Sequence, residues 1–139
     1  MFDSFVDYSK EMTDSSEFKW NIDDPEFFSL VGQGRWDIRQ AKSLISKTPR
    51  EVHTFRPKGT GYESLVPSKS SSKRTFSMIS IDKSRVKDAD LAVPVIMIPD
   101  TPVGDLVIDG WHRITRAIWE DAEIAVVLLS AGEAQECLV

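Results

Sequence analysis

Residues 106–121, LVIDGWHRITRAIWED, decide how the rest of the chain is read. Leu106, Val107 and Ile108 form a short apolar run that Asp109-Gly110 stops. Trp111, Ile114, Ala117 and Ile118 then fall on one helical face, continued by Ala122, with His112, Arg113, Arg116 and Glu120 on the others. The stretch therefore reads as a β-strand, a tight glycine turn and a helix N-terminus. Asp109 or Gly110 is the expected N-cap, and Gly110 lets the backbone turn sharply and approach a ligand with no side chain in the way. The unpaired N–H groups of a first helical turn point at whatever lies in front of them, and the helix dipole favours negative charge there. His112 and Arg113 stand in that turn. The dipole opposes a cation at this end by ~0.3–1 kcal/mol, so two basic residues suggest an anion that offsets the cost. The plainer reading is that such junctions are common, that Trp111 and Trp119 pack, and that His112 is structural.

Around this motif the pattern is one of short apolar runs separated by turns. Residues 75–81 (TFSMISI) alternate like a half-covered strand, and 93–98 (VPVIMI) run apolar without interruption, as in a strand covered on both faces. Residues 99–104 read as a turn, 105–108 as a strand, and 125–129 (AVVLL) as another buried strand. Ser130 and Glu133 have capping-box spacing and predict a last helix over 130–136.

The first half is less regular. Asp24-Pro25 carries the signature of a helix start, and Gly32-Gln33-Gly34 breaks that helix. Trp36, Ile38, Ala41, Leu44 and Ile45 follow helical spacing up to Thr48-Pro49. Residues 51–55 are a candidate strand, while 59–61 and 67–74 (PSKSSSKR) read as loops. The sum is an α+β domain with a small mixed sheet and a helical N-terminal extension. Residues 1–24 form an acidic, flexible segment, and 25–139 a single domain whose motif-bearing half is 75–131.

Composition narrows the function. The chain has 139 residues, a net charge of −5 and a 41% hydrophobic share, in the range of one globular domain. Charge is segregated: eight acids against Lys10 and Lys19 in residues 1–26, six basic residues against Glu51 and Glu63 in 50–74, and five acids with no lysine or arginine after Arg116. An acidic balance disfavours nucleic acid as a general ligand, since coating DNA takes many phosphate-neutralising cations. The single cysteine, Cys137, has no partner for an intrachain disulfide, which fits a reducing, cytoplasmic setting. His53 and His112 are the only histidines, too few for a histidine-rich metal site. No apolar run reaches the ~20 residues of a membrane span, and residues 1–18 lack the basic-then-apolar pattern of a secretion signal.

The string Val107-Ile108-Asp109-Gly110-Trp111-His112-Arg113-Ile114-Thr115-Arg116-Ala117 resembles the ParB/sulfiredoxin-like superfamily, whose members carry a strand, a glycine turn, a basic pair and an alanine-containing helix. PVIMIPDTPVGDL before it and IAVVLLS after it are similar to the flanking strands of that layout, so the resemblance spans residues 75–131. It implies ATP or CTP, with Mg²⁺, whose phosphates sit at the helix start. Gly110, Trp111, His112 and Arg113 are then the nucleotide-contacting positions, with Thr115 and Arg116 as further candidates. Asp109 and His112 are the candidates for catalytic work in an NTPase or phosphotransferase, His112 by bonding a phosphate oxygen or carrying charge in the transition state.

The departures from the family pattern are informative. Trp111 stands where sulfiredoxins place their catalytic cysteine, so sulfinic-acid reduction is not expected. His112 replaces one of the two arginines of the partition proteins, and too little sequence follows for their helix-turn-helix and dimerisation domains. The alternatives are an inactive interaction or inhibitor protein of plasmid or phage accessory type, binding a partner through the acidic N-terminus, and a ParB-like nuclease.

Overall fold

The computed structural model describes residues 14–20, 22–23, 26–69, 79, 81–102 and 104–139. Most of the acidic segment 1–24, the Asp24-Pro25 helix start and most of the strand expected over 75–81 lie outside the described residues.

The centre is a four-stranded mixed sheet. Strand β3 (His53–Phe55) runs antiparallel to β6 (Ile124–Leu128), which runs parallel to β4 (Val95–Thr101), which pairs antiparallel with β5 (Gly104–Asp109); β1 (Phe27–Leu30) and β2 (Gly34–Asp37) form a separate hairpin. Val95 lies opposite Val126 and Met97 opposite both Leu128 and Val107. Four consecutive β4 residues, Val95 to Ile98, are buried, and because side chains alternate across a strand the sheet is covered on both faces. The turn expected over 99–104 is shorter, since β4 continues to Thr101 and β5 begins at Gly104.

Helix α1 (Ile38–Lys47) starts where Asp37 caps the Gln40 amide, and it buries Ile38, Ala41 and Ile45. Helix α2 (Lys83–Val86) is one turn, capped by Asp82 on Ser84, and the sequence reading did not foresee it. Helix α3 (Trp111–Glu120) follows β5 and buries Trp111, Ile114, Thr115 and Ala117; of the face the spacing predicts, Ile118 is only half-buried, and Thr115 is an addition to it. Helix α4 (Ala131–Cys137) has the Ser130–Glu133 capping box in full. The observed class is α+β, and among the described residues no helix is long and apolar enough to cross a membrane.

The helix expected after Asp24-Pro25 is corrected: residues 27–30 are strand β1. Apolar residues at 27, 28 and 30 fit either period, and tertiary contacts decide between them. Phe28 stacks on Trp36 of β2 at 6.2 Å and on Trp111 of α3 at 6.1 Å, clamped between hairpin and helix. Gly32-Gln33-Gly34, read as a helix breaker, is the hairpin turn, with Gly32 at φ +80°.

Arg50 ties the α4 end of the molecule together. Its guanidinium donates to both oxygens of Glu133, at 2.8 Å to Oε2, and to the Leu128 and Thr48 carbonyls. This arginine holds the Glu133 carboxyl below its ordinary value, aided by the capping bonds of Ser130. A carboxylate depressed in the folded state adds stability above its unfolded pKa and loses it as pH falls through the folded value. Glu133→Gln is expected to cost about 1–2 kcal/mol at neutral pH, read from the urea midpoint. The difference from wild type should shrink on acidification.

Candidate functional site

Gly110 fixes the junction between β5 and α3. Its φ is +101°, and a Cβ built there would sit 2.5 Å from Val95 Cγ1 and 2.9 Å from Arg113 Nη2, so only glycine fits without displacement. The first intrahelical bond is Ile114 N–H to Gly110 O at 2.9 Å. The amides of Trp111, His112 and Arg113 precede it, and among the described residues none has an acceptor. Neither Asp109 nor Gly110 provides a side-chain cap.

In front of this turn opens a cavity of about 830 Å³. One wall is the β1 edge, with Phe27, Phe28 and Ser29. Arg85 of α2, Asp88 and Asp90 after it, and residues 108–113 line the cavity as well. The volume is within the range of small-molecule sites.

Several of the sequence candidates are committed elsewhere. Trp111 lines the cavity but is buried, donates from Nε1 to Val107 O at 2.9 Å and meets Tyr62 edge-on at 5.5 Å, so its indole is a floor. Thr115 is fully buried and its hydroxyl donates to Trp111 O at 2.8 Å; it does not reach the cavity. Arg113 donates to Val93 O and Pro94 O at 3.1 and 3.0 Å and pairs with Asp109 at 3.3 Å. Arg116 donates to Ala89 O at 2.5 Å and pairs with Glu120. His112 accepts the Asp82 amide on Nε2 at 3.1 Å. The polar face of α3 is thus a brace that holds residues 82–94, and the cation-at-N-terminus conflict is answered within the chain by Asp109 and two carbonyl groups. Asp109 and His112 are not hydrogen-bonded to one another, so the structure does not pair the two catalytic candidates.

Nothing in any comparison matches this chain. A scan of protein-family models finds no family, and neither curated proteins nor solved structures contain a significant relative. The geometry alone therefore carries the functional argument. Burial, first, and the Arg85 charge hold His112 below the ordinary imidazole value, against the pull of the Asp82 carboxylate. The ring is accordingly neutral at pH 7, in agreement with its role as an acceptor. Burial pushes the Cys137 thiol up to about 11, so it is no thiolate at neutral pH.

Arg85, Asp88 and Asp90 escaped the sequence reading. Arg85 is exposed at the cavity rim, and among the described residues its guanidinium makes no hydrogen bond or ion pair, its backbone alone being bonded within the α2 turn. The signal that could have found it is Asp82 two residues before Ser84, an N-cap spacing that fixes the turn carrying Arg85.

Proposed function

We propose that this chain is a nucleotide-binding domain of the ParB/sulfiredoxin-like type, taking ATP or CTP in the cavity before α3. The observation that carries the reading is the conjunction of three unpartnered helix amides with a cavity of about 830 Å³ in front of them. Phosphate oxygens accept from those amides, and the helix dipole adds to the attraction. Arg85 supplies the rim charge, and the stacked Phe28 and Trp111 give an apolar surface for the rest of the ligand. In this reading Gly110 and His112 keep the contact role given them by the sequence, while Arg113 and Arg116 support the wall.

Mg²⁺ fits the pocket only as an ion carried by the phosphates. Among the described residues no three histidine, cysteine or carboxylate side chains converge as a cage. Mg²⁺ bound to a nucleotide needs only one or two protein carboxylates beside phosphate oxygens and water. Of the four cavity-lining carboxylates, Asp109 is held by Arg113 and Glu26 pairs with Lys42, which leaves Asp88 and Asp90 to meet it.

The test is calorimetric titration with ATP, CTP, GTP and UTP, each with Mg²⁺, on wild type and Arg85→Ala. Saturable binding of ATP or CTP is expected, weakened about tenfold or more in the variant, the effect of one charge-assisted contact. No heat with any of the four nucleotides overturns the reading. Equal affinity in Arg85→Ala removes that side chain from the phosphate contacts.

A further inference from the structure

Three side chains of α3 hold one connected segment. His112 takes the Asp82 amide at its start, Arg116 the Ala89 carbonyl in its middle, and Arg113 the Val93 and Pro94 carbonyls at its end. The two arginines act as donors to backbone carbonyls. His112 differs in kind. It acts as an acceptor, and it can do so only while Nε2 carries no proton and the ring proton sits on Nδ1. The polar tie at the start of the segment is therefore a neutral imidazole, beside the apolar anchors Ile81 and Val86.

We propose that His112 is a proton-operated latch on the cavity wall: a proton from solvent at Nε2 removes the acceptor of the Asp82 amide and frees residues 81–86 from α3. The imidazolium faces an N–H with an N–H, and among the described residues the carboxylate that favours it is Asp82. That carboxylate already accepts from the Ser84 amide at 3.0 Å and the Ser84 hydroxyl at 2.7 Å. Turning it toward His112 uncaps α2, and leaving it in place leaves the amide unsatisfied. Either way the α2 turn loosens, while Arg116 and Arg113 keep Ala89, Val93 and Pro94 in place. The hinge falls between Val86 and Ala89, and Arg85 moves with the freed turn away from the cavity.

The charged groups on the elements packed around the ring are Asp82, Lys83 and Arg85 on the α2 turn, Asp88 and Asp90 after it, Asp109, Arg113, Arg116 and Glu120 about α3, and Glu26 before β1 in the same cavity lining. Asp109 is spent on Arg113 and Glu120 on Arg116. Burial and Arg85 disfavour the charged ring and Asp82 favours it, with the balance on the neutral side. The folded state thus binds this proton less readily than the unfolded chain. The stability tied to the latch is complete above the ordinary imidazole value of about 6.5 and is lost as pH falls from there through the folded value.

The consequence for ligand binding rests on the nucleotide reading of the cavity, but the latch belongs to the chain alone and is tested without ligand. The experiment is NMR of the whole isotope-labelled protein, following the His112 ring nitrogens and hydrogen exchange at residues 82–86 from about pH 7.5 to about pH 5. The Nδ1–H tautomer is expected at the upper end. Exchange at Asp82 to Val86, corrected for its intrinsic pH dependence, should accelerate about tenfold or more with the ring titration, while Ile96 and Val127 stay protected. His112→Gln keeps an acceptor that does not titrate, and should flatten the response. An Nε2–H tautomer at neutral pH, or Asp82 exchange indifferent to the ring titration, overturns the latch. Neither result depends on whether a nucleotide binds, and a failed nucleotide titration leaves both measurements intact.

Discussion

Gly110→Ala is expected to destabilise the protein by about 2–5 kcal/mol. Two costs add. An L-residue at φ +101° gives up about 1–2 kcal/mol of backbone energy. The new Cβ then meets Val95 Cγ1 at 2.5 Å, and Val95 is fully buried in the central strand β4 with nowhere to yield. Overpacking of that kind costs about 1–3 kcal/mol. Gly59→Ala separates the terms, because Gly59 sits at φ +93° with nothing within 4 Å of the added carbon. Its cost should be the backbone part alone. Urea midpoints at unchanged m-value give both numbers. Equal losses in the two variants would mean that the β5–α3 junction relaxes and that Val95 does not fix its geometry.

That contact shows where sequence reasoning stops. The glycine turn, the strand before it and the apolar stripe Trp111, Ile114, Ala117 are all visible in residues 106–121, because local pattern specifies local structure there. The Ser130–Glu133 box and the uninterrupted apolar run in β4 are legible for the same reason. Residues 27–30 are not. FFSL fits a helix or a strand, and the choice is made by Trp36 and Trp111 closing on Phe28 from distant parts of the chain. Tyr62 belongs to the same case, its hydroxyl donating to Asp105 O at 2.7 Å while its ring meets Trp111.

The site divides along the same line. The sequence correctly groups basic side chains on the polar face of α3, since spacing alone determines which residues share a face. It does not say what they touch. An anion in front of the helix and a set of backbone carbonyls beside it satisfy Arg113 and Arg116 equally well on paper. The carbonyls of Ala89, Val93 and Pro94 come from a segment some twenty residues earlier that has weak local structure of its own. Thr115 shows the converse: a hydroxyl that reads as a ligand contact is consumed by the Trp111 carbonyl one turn back, a local bond that a mid-helix threonine commonly makes.

Arg113→Ala, which would spare the fold if Arg113 served only a ligand, is expected to cost about 2–4 kcal/mol with no nucleotide present. Its guanidinium is largely buried, and truncation leaves the Val93 and Pro94 carbonyls and a buried Asp109 carboxylate without their donor; the side chains of Arg113 and Asp109 are 17% and 11% exposed. Stranding a buried charge costs more than the pair itself contributes, so the loss should be partly recovered in Arg113→Ala combined with Asp109→Ala. A cycle of the two single variants and the double, measured by urea unfolding, should show a double variant less damaged than the sum of the singles. Arg113→Lys keeps the charge but not the fork that spans two carbonyls and a carboxylate, and should fall between wild type and alanine. An Arg113→Ala protein as stable as wild type would assign this guanidinium to the ligand after all. A destabilised one means that any loss of nucleotide affinity in it reflects a slackened wall, and that Arg85→Ala, at the exposed rim, is the variant in which affinity and folding are read separately.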